Sequence, residues 1–290
     1  MMHNDIPNII AEKYPSMSKG HRSIANYITE NYNKAAFMTA AKLAEAVGIS
    51  ESTVVRFSYE LGCDGYPKLQ KALQDLARSR LTSVQRIELV EENWNNTDIL
   101  KKVVGTDIDN LRHALENISQ EEFEKAAQII ANAKNIYIMG ALASSSLASF
   151  MAYYFNHIFG NVKNINSGSV GDSFEQLLRI GPDDVLIGIT FPRYAQRTVK
   201  AAKYAYECGA HIVSITDSPA SPMVKYSDAA LFARSNMASF VDSLVAPLSI
   251  ITALIVAVGL LHEDDISETF YKLERIWEEY NVYQQEDEIE

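Results

Sequence analysis

TAAKLAEAVGISESTVVRFSYELG, residues 39 to 62, sets two short helical segments on either side of a glycine turn. Leu43, Ala44 and Val47 put an apolar stripe on the first helix, and Ala44 is small where a second helix has to cross closely. Gly48 supplies the left-handed backbone that ends that helix, because it lacks the Cβ that resists a positive φ. Ile49 is the apolar plug of the turn, Ser50 the N-cap of the next helix, and Glu51 a charge suited to its positive end. Val54, Phe57 and Leu61 recur at i, i+3 and i+7 and form the inner face of the second helix. Its outer face carries Ser52, Thr53, Arg56 and Tyr59. This is helix-turn-helix spacing, in which the second helix enters the major groove of DNA. Ser52, Thr53 and Arg56 are candidates for base or phosphate contact, Arg56 having the forked donor that suits guanine or a phosphate. An ordinary helical hairpin with a solvated arginine satisfies the same spacing.

The rest of the chain is long for one core. At 290 residues, two domains are the natural expectation. The net charge of −11 argues superficially against a nucleic-acid partner, but the charge is unevenly spread. Residues 1 to 80 hold ten Lys and Arg against eight Asp and Glu, leaving sixteen against twenty-nine in residues 81 to 290. The acidity lies outside the candidate reading head, where Arg22, Lys42, Arg56, Lys68 and Lys71 set the local positive charge.

Cys63 and Cys208 are the two cysteines, too few for a disulfide framework or a four-cysteine metal site, and both read as reduced, partly buried thiols. The first ten residues, MMHNDIPNII, lack the basic region and apolar core of a signal peptide. Leu244 to Leu261 reaches the minimum length of a membrane span, but Pro247, Ser249 and Thr252 interrupt it and no basic loop flanks it. A helix buried in a core or a subunit interface is the expectation, in a cytoplasmic chain with no membrane partner.

Ser18 to Tyr32 reads as a helix with Ile24, Tyr27 and Ile28 inward, completing a three-helix unit. A turn at Asp64-Gly65 precedes another helix near Pro67. Residues 81 to 96 lose periodicity and form the linker. Helical pattern resumes with Ile99, Val103, Ile108, Leu111 and Leu115, and Ser119 with Glu122 makes a capping box for a helix reaching about Ala133. From Asn135 short apolar runs alternate with helical stretches: IYIMG (136–140), NVKNI, DVLIGIT (184–190), HIVSIT (211–216) and DAALF (228–232). That alternation predicts a parallel sheet covered on both faces, with any ligand outside the carboxyl ends of the strands.

Two loops then stand out, GALASSS (140–146) after the first strand and TFPRYAQRT (190–198) after the third. Ser144, Ser145 and Ser146 sit at a helix start, where hydroxyls and free N–H groups converge on an anion, and Arg193, Arg197 and Thr198 bring charge and a hydroxyl to the neighbouring loop. Plain helix capping is the alternative for the serines, and solvation for Arg197.

AAKLAEAVGISESTVVRF followed by LGCDGYPKL resembles the RpiR-type helix-turn-helix. IYIMGALASSS, TFPRYAQRT and VSITDSPASPMVKYSDAAL resemble successive strand-and-loop signatures of a sugar isomerase (SIS) domain, and the two resemblances cover about residues 5 to 262. They imply an all-α reading head over residues 1–80, the 81–96 linker, a three-layer, flavodoxin-like α/β SIS domain with leading helices over 97–284, and an acidic tail, 285–290. The implied function is that of a bacterial transcriptional regulator of sugar metabolism genes. The resemblance implies that it binds a double-stranded, palindromic DNA operator, senses a phosphorylated sugar and forms a dimer or tetramer through the SIS domain. No catalytic residue, metal or cofactor is implied. The DNA contacts are then Ser52, Thr53, Arg56, Tyr59, Lys42 and Lys68. Ser144 falls on the family's first-loop serine and Thr198 on its loop-closing threonine; Ser145, Ser167 and Arg193 join them as ligand residues on chemistry. Two departures stand out: Leu142 replaces the second glycine of the first loop, restricting close backbone approach, and FPRY (191–194) replaces the short serine-glycine form.

The alternatives are a phosphosugar aldose-ketose isomerase with an accessory N-terminal unit, and a sugar-binding adaptor whose helical head binds protein. The first needs a base, for which Glu175, His157 and His211 are available. The second is disfavoured by the hydroxyl and arginine face of residues 52 to 56.

Overall fold

In the computed structural model, residues 6–80, 98–166, 169–236 and 241–283 are described. The linker expected at 81–96, the acidic tail at 285–290 and Ser167 lie outside the described residues. The chain divides into two compact units, the boundary falling between Thr97 and Asp98.

The first unit is all helical: α1 (Ile6–Lys13), α2 (Lys19–Glu30), α3 (Tyr32–Ala35), α4 (Ala40–Val47), α5 (Glu51–Glu60) and α6 (Tyr66–Arg80). Ser18 caps α2 by accepting from the His21 N–H, and Thr39 caps α4 by accepting from the Lys42 N–H. Gly48 ends α4 at φ 74°, as the turn requires. Ile24, Ile28, Leu43, Val54, Phe57 and Leu61 meet in one core with Leu69 and Leu73 of α6. Tyr27 and Ile49 pack at its edge, half-buried. Burying a ring such as Phe57 contributes about 2–3 kcal/mol, so helices too short to persist alone are held by their shared face. Tyr66 and Gln70 both donate to the Met38 carbonyl, at 2.8 and 2.7 Å, fixing α6 against the loop before α4. Burial pushes the Tyr66 phenol up to about 12.

The second unit opens with α7 (Ile99–Asn117) and α8 (Gln120–Ala131). Ser119 accepts from the Glu122 N–H, but the other half of the expected capping box is absent: the Glu122 carboxylate accepts from the Ala230 N–H at 3.1 Å. A long-range donor, the Ala230 N–H, has taken the place of the local one, tying the start of α8 to β5.

The strands are β1 (Ile136–Gly140), β2 (Val162–Asn164), β3 (Val185–Ile189), β4 (His211–Thr216) and β5 (Ala229–Phe232). All pair parallel in the order β2-β1-β3-β4-β5. Helix α9 (Ser144–Ile158) follows β1, α10 (Val170–Gln176) follows β2, and α11 (Gln196–Glu207) follows β3; α12 (Val245–Leu261) and α13 (Glu263–Glu279) close the described chain. Successive strand residues face opposite layers. Ile136, Ile138, Val185 and Ile187 pack with Leu147, Met151, Ile251 and Leu254, whereas Tyr137, Met139 and Leu186 pack with Leu177, Ala201 and Ala205. This is the predicted parallel sheet covered on both faces.

Leu244 to Leu261 behaves as a core helix on one side: Ala246, Ile250, Ile251, Leu254 and Val258 of α12 are buried. Its other side leaves Val256 and Leu260 exposed. No single helix among the described residues is long and apolar enough to cross a membrane.

Candidate functional site

In the first unit, α4, the Gly48 turn and α5 build a helix-turn-helix whose polar side is the start of α5. Ser52 and Arg56 are exposed, and Tyr59 stands 58% exposed farther along the helix. Lys42 on α4 and Lys68 on α6 are exposed too, Lys68 in an ion pair with Asp64 at 3.0 Å. Thr53 differs from its predicted outward position. It is half-buried where α2 crosses closely, a Cβ on Gly20 coming within 3.5 Å of its methyl group. Its hydroxyl remains on the polar side, 2.8 Å from that of Ser50, which also lies 3.0 Å from the Ser52 hydroxyl.

Ser50 therefore holds the N-cap position without capping: its oxygen bonds side chains, not backbone. The result is a hydroxyl cluster at a helix N-terminus, where unpaired N–H groups and the helix dipole favour an anion. Arg56 folds over it, donating from Nε to the Ser52 carbonyl at 3.3 Å. This weak, exposed contact leaves the guanidinium free to exchange onto a phosphate or a base edge. Arg22, by contrast, is occupied locally, donating to the Tyr14 and Pro15 carbonyls at 3.2 and 2.8 Å.

Two residues that the sequence did not single out orient α5 from behind. His21 on α2 pairs through Nδ1 with the Glu60 carboxylate at the end of α5, and its ring meets Phe57 edge-on at 5.6 Å. They are 39 positions apart, beyond any local pattern.

In the second unit the strand register gathers the predicted loops. Gly140 is opposite Ile189, and Ile189 opposite Ile215, so the segments after β1, β3 and β4 leave one edge of the sheet side by side. The two predicted helix starts there differ. At α9 the N–H groups of Ser144, Ser145 and Ser146 donate to the carbonyls of Ala141, Leu142 and Ala143, at 3.2, 3.0 and 3.3 Å. The Ser145 hydroxyl donates to the Leu142 carbonyl at 2.6 Å. The three N–H groups and the Ser145 hydroxyl are thus turned back into the loop. Ser144 is buried, at 7% exposure. Leu142 does not obstruct the backbone as expected, because it adopts φ 56° with its side chain 84% exposed. The close approach falls at Gly140, where a Cβ would stand 2.2 Å from the Ser144 carbonyl oxygen.

At α11 the arrangement is open. Ala195 provides no side-chain cap, and the first-turn N–H groups of a helix lack intrahelical acceptors. Thr198 lies in that turn, 0% exposed, and its hydroxyl has no hydrogen-bond partner among the described residues. A buried polar group left unpaired costs about 1–3 kcal/mol. Arg193 is exposed at the loop tip.

Behind this loop lies Asp217, also absent from the predicted set. Burial raises its carboxyl above the ordinary aspartate range, against bonds from Tyr194, its own backbone, Ser218 and Thr216 that favour the ionised form. The two histidines among the predicted bases do not join these loops. Glu175 is exposed on α10, and His157 packs beside the Tyr153 and Phe270 rings at 4.8 and 5.6 Å. His211 starts β4, at the opposite edge of the sheet, 3.6 Å from Asp228. Among the described residues no His, Cys, Asp or Glu group could hold a metal ion.

Known proteins match both units. The profile of the rpiR-family helix-turn-helix domain matches residues 5–79, and that of the SIS domain matches residues 129–257. An uncharacterized HTH-type transcriptional regulator of Caldanaerobacter subterraneus is 27% identical over 90% of this chain and 93% of its own length. The HTH-type transcriptional regulator HexR of Pseudomonas aeruginosa is 25% identical over 75% of each chain. Among solved structures, the Vibrio vulnificus NanR protein complexed with ManNAc-6P covers 97% of this chain and 99% of its own, with TM-score 0.59 and 21% identity. The sugar isomerase domain of an RpiR transcription factor from Sphaerobacter thermophilus covers 62% of this chain and 99% of its own, with TM-score 0.58 and 24% identity.

Proposed function

The chain belongs to the RpiR family of helix-turn-helix transcriptional regulators, and on that premise we propose that it controls sugar metabolism genes in response to a phosphorylated sugar held at the carboxyl edge of its SIS-domain sheet. The observation that carries the sensing half is the buried, unpartnered Thr198 hydroxyl in the open first turn of α11. A phosphate there would accept from that hydroxyl and from first-turn N–H groups, with Arg193 closing from the rim. Ser144 supports the same site from the adjoining loop, whereas Ser145 contributes through the loop's shape.

On the DNA side Ser52, Arg56 and Tyr59 supply the groove-facing groups, and Lys42 and Lys68 supply phosphate contacts. Thr53 holds the cluster in place through Ser50. The chain works as a homodimer or tetramer, the exposed side of α12 contributing to the contact, so that two heads meet a palindromic operator in the cytoplasm. The effector shifts the heads only by its differential affinity for two arrangements.

A regulator is favoured over an isomerase because both histidines among the three available bases lie off the loop edge: His211 begins β4 at the far edge, and His157 is near the end of α9, about 20 Å along the helix from Ser144. Genome-wide footprinting identifies the operators. Operator affinity is then measured with and without a panel of aldose and ketose phosphates, and one of them is expected to change it severalfold. Turnover of any of them at enzymatic rates would overturn the non-enzymatic reading.

A further inference from the structure

The FPRY segment, residues 191–194, connects β3 to the N-terminal side of α11, and its four side chains have different surroundings. Phe191 is 7% exposed and packs into the core on one side of the sheet. Pro192 is half-buried and Arg193 exposed. Tyr194 turns back, donating its hydroxyl to Asp217 Oδ1 at 2.9 Å across 23 positions of sequence. The backbone is tied at the same point, where the Ala195 N–H donates to Thr190 Oγ1 at 3.2 Å. An aromatic anchor therefore stands on each side of the Pro192–Arg193 tip.

Asp217 follows directly on β4, and Thr216 and Ser218 donate to its two oxygens at 3.2 and 3.1 Å. With Tyr194 that makes three side-chain donors on one largely buried carboxylate. A carboxylate engaged by internal donors is held in one orientation and acts as a rigid acceptor.

We propose that Tyr194 and Asp217 form a latch that positions the β3 loop, so that Arg193 and the first turn of α11 are preset for the effector's phosphate. This rests on the effector site proposed above. Tyr194 and Asp217 are positioning residues: they act through the loop and do not touch the ligand. The latch also accounts for the longer loop, since a tip of two residues needs an anchor on its far side and Tyr194 provides it.

The test uses the full chain and trypsin cleavage after Arg193, normalised to the same bond in the unfolded chain, with inorganic phosphate as the probe. Phosphate is expected to protect the parent protein. In Tyr194→Phe, which keeps the ring and removes the donor, cleavage rises about tenfold and the phosphate concentration for half-protection rises by a similar factor, as expected for losing a hydrogen bond to a charged group. Asp217→Ala reproduces both effects, and Asp217→Asn, which retains an acceptor, reverses most of them. Adding Tyr194→Phe to Asp217→Ala changes nothing further, because the bond is already broken. Equal cleavage in the parent and Tyr194→Phe overturns the latch while phosphate still protects both. Faster cleavage in Tyr194→Phe with no protection of either overturns the effector-site reading instead, and with it the role given to the latch.

Discussion

The start of α5 and the start of α11, the two places at which we propose that an anion binds, are built in opposite ways. At α5 the groups lie on the surface: Ser52, Arg56 and Tyr59 are exposed, and Arg56 rests on a carbonyl it can leave. At α11 the telling group is buried, a Thr198 hydroxyl with no partner among the described residues, while Arg193 is exposed at the loop tip. The contrast follows from the ligands. DNA is a long polyanion read in water, so affinity is summed from many exposed charges and is sensitive to salt. A small phosphate has to be bound by a few groups, and each contributes more when water is excluded.

Four outcomes break or sharpen this contrast. The largest is at Arg56: Arg56→Ala lowers operator affinity by roughly one to two orders of magnitude with the oligomer intact, and gel-shift titration at several salt concentrations measures it. Unchanged affinity would remove α5 as the reading helix.

Next is Thr198→Val, which keeps the shape and deletes the unpaired hydroxyl. The ligand-free SIS unit is expected to gain about 1 kcal/mol in denaturant unfolding while calorimetry shows sugar-phosphate affinity falling about tenfold. A loss of stability would mean that the hydroxyl has a structural partner.

A smaller effect concerns pH. Because burial raises the Asp217 carboxyl, the stability this group contributes is fully present below the ordinary aspartate value, near 3.9, and is lost as pH rises through its raised folded value. Asp217→Asn removes that part of the pH slope, and comparison of unfolding midpoints between about pH 4 and pH 7 reveals it. An unchanged slope would show that the carboxylate is well solvated.

Smallest is Leu142→Gly. It relieves a positive φ but frees the unfolded chain, so stability changes by less than about 1 kcal/mol, and effector affinity stays within about twofold, since the α9 donors are turned into their own loop. A large gain in affinity would restore the first loop as the principal anion site.

Much of this architecture was legible because it is local. The Gly48 turn and the Val54, Phe57 and Leu61 face each depend on residues within a few positions of one another. So do the β-runs and the helices between them, since apolar periodicity is a property of a segment. The site was less legible where the same residue has two available partners. Ser119 and Glu122 satisfy the capping-box pattern, yet Glu122 bonds Ala230. Ser50 satisfies the N-cap pattern, yet its hydroxyl bonds hydroxyls. The serines at α9 looked open as a helix start and prove closed, because their loop folds tightly enough for its own carbonyls to take the donors.

The sequence alone determined a helix-turn-helix head, a parallel sheet later in the chain and the loops at which an anion would be sought, since composition and period fix which faces are apolar and where the chain turns. Tertiary structure alone decided which donors remain free, that Thr198 is buried without a partner, that His21 holds Glu60, and that Tyr194 reaches Asp217. Those outcomes depend on groups tens of residues apart competing for the same hydrogen bonds, and that competition exists only once the core has brought them together.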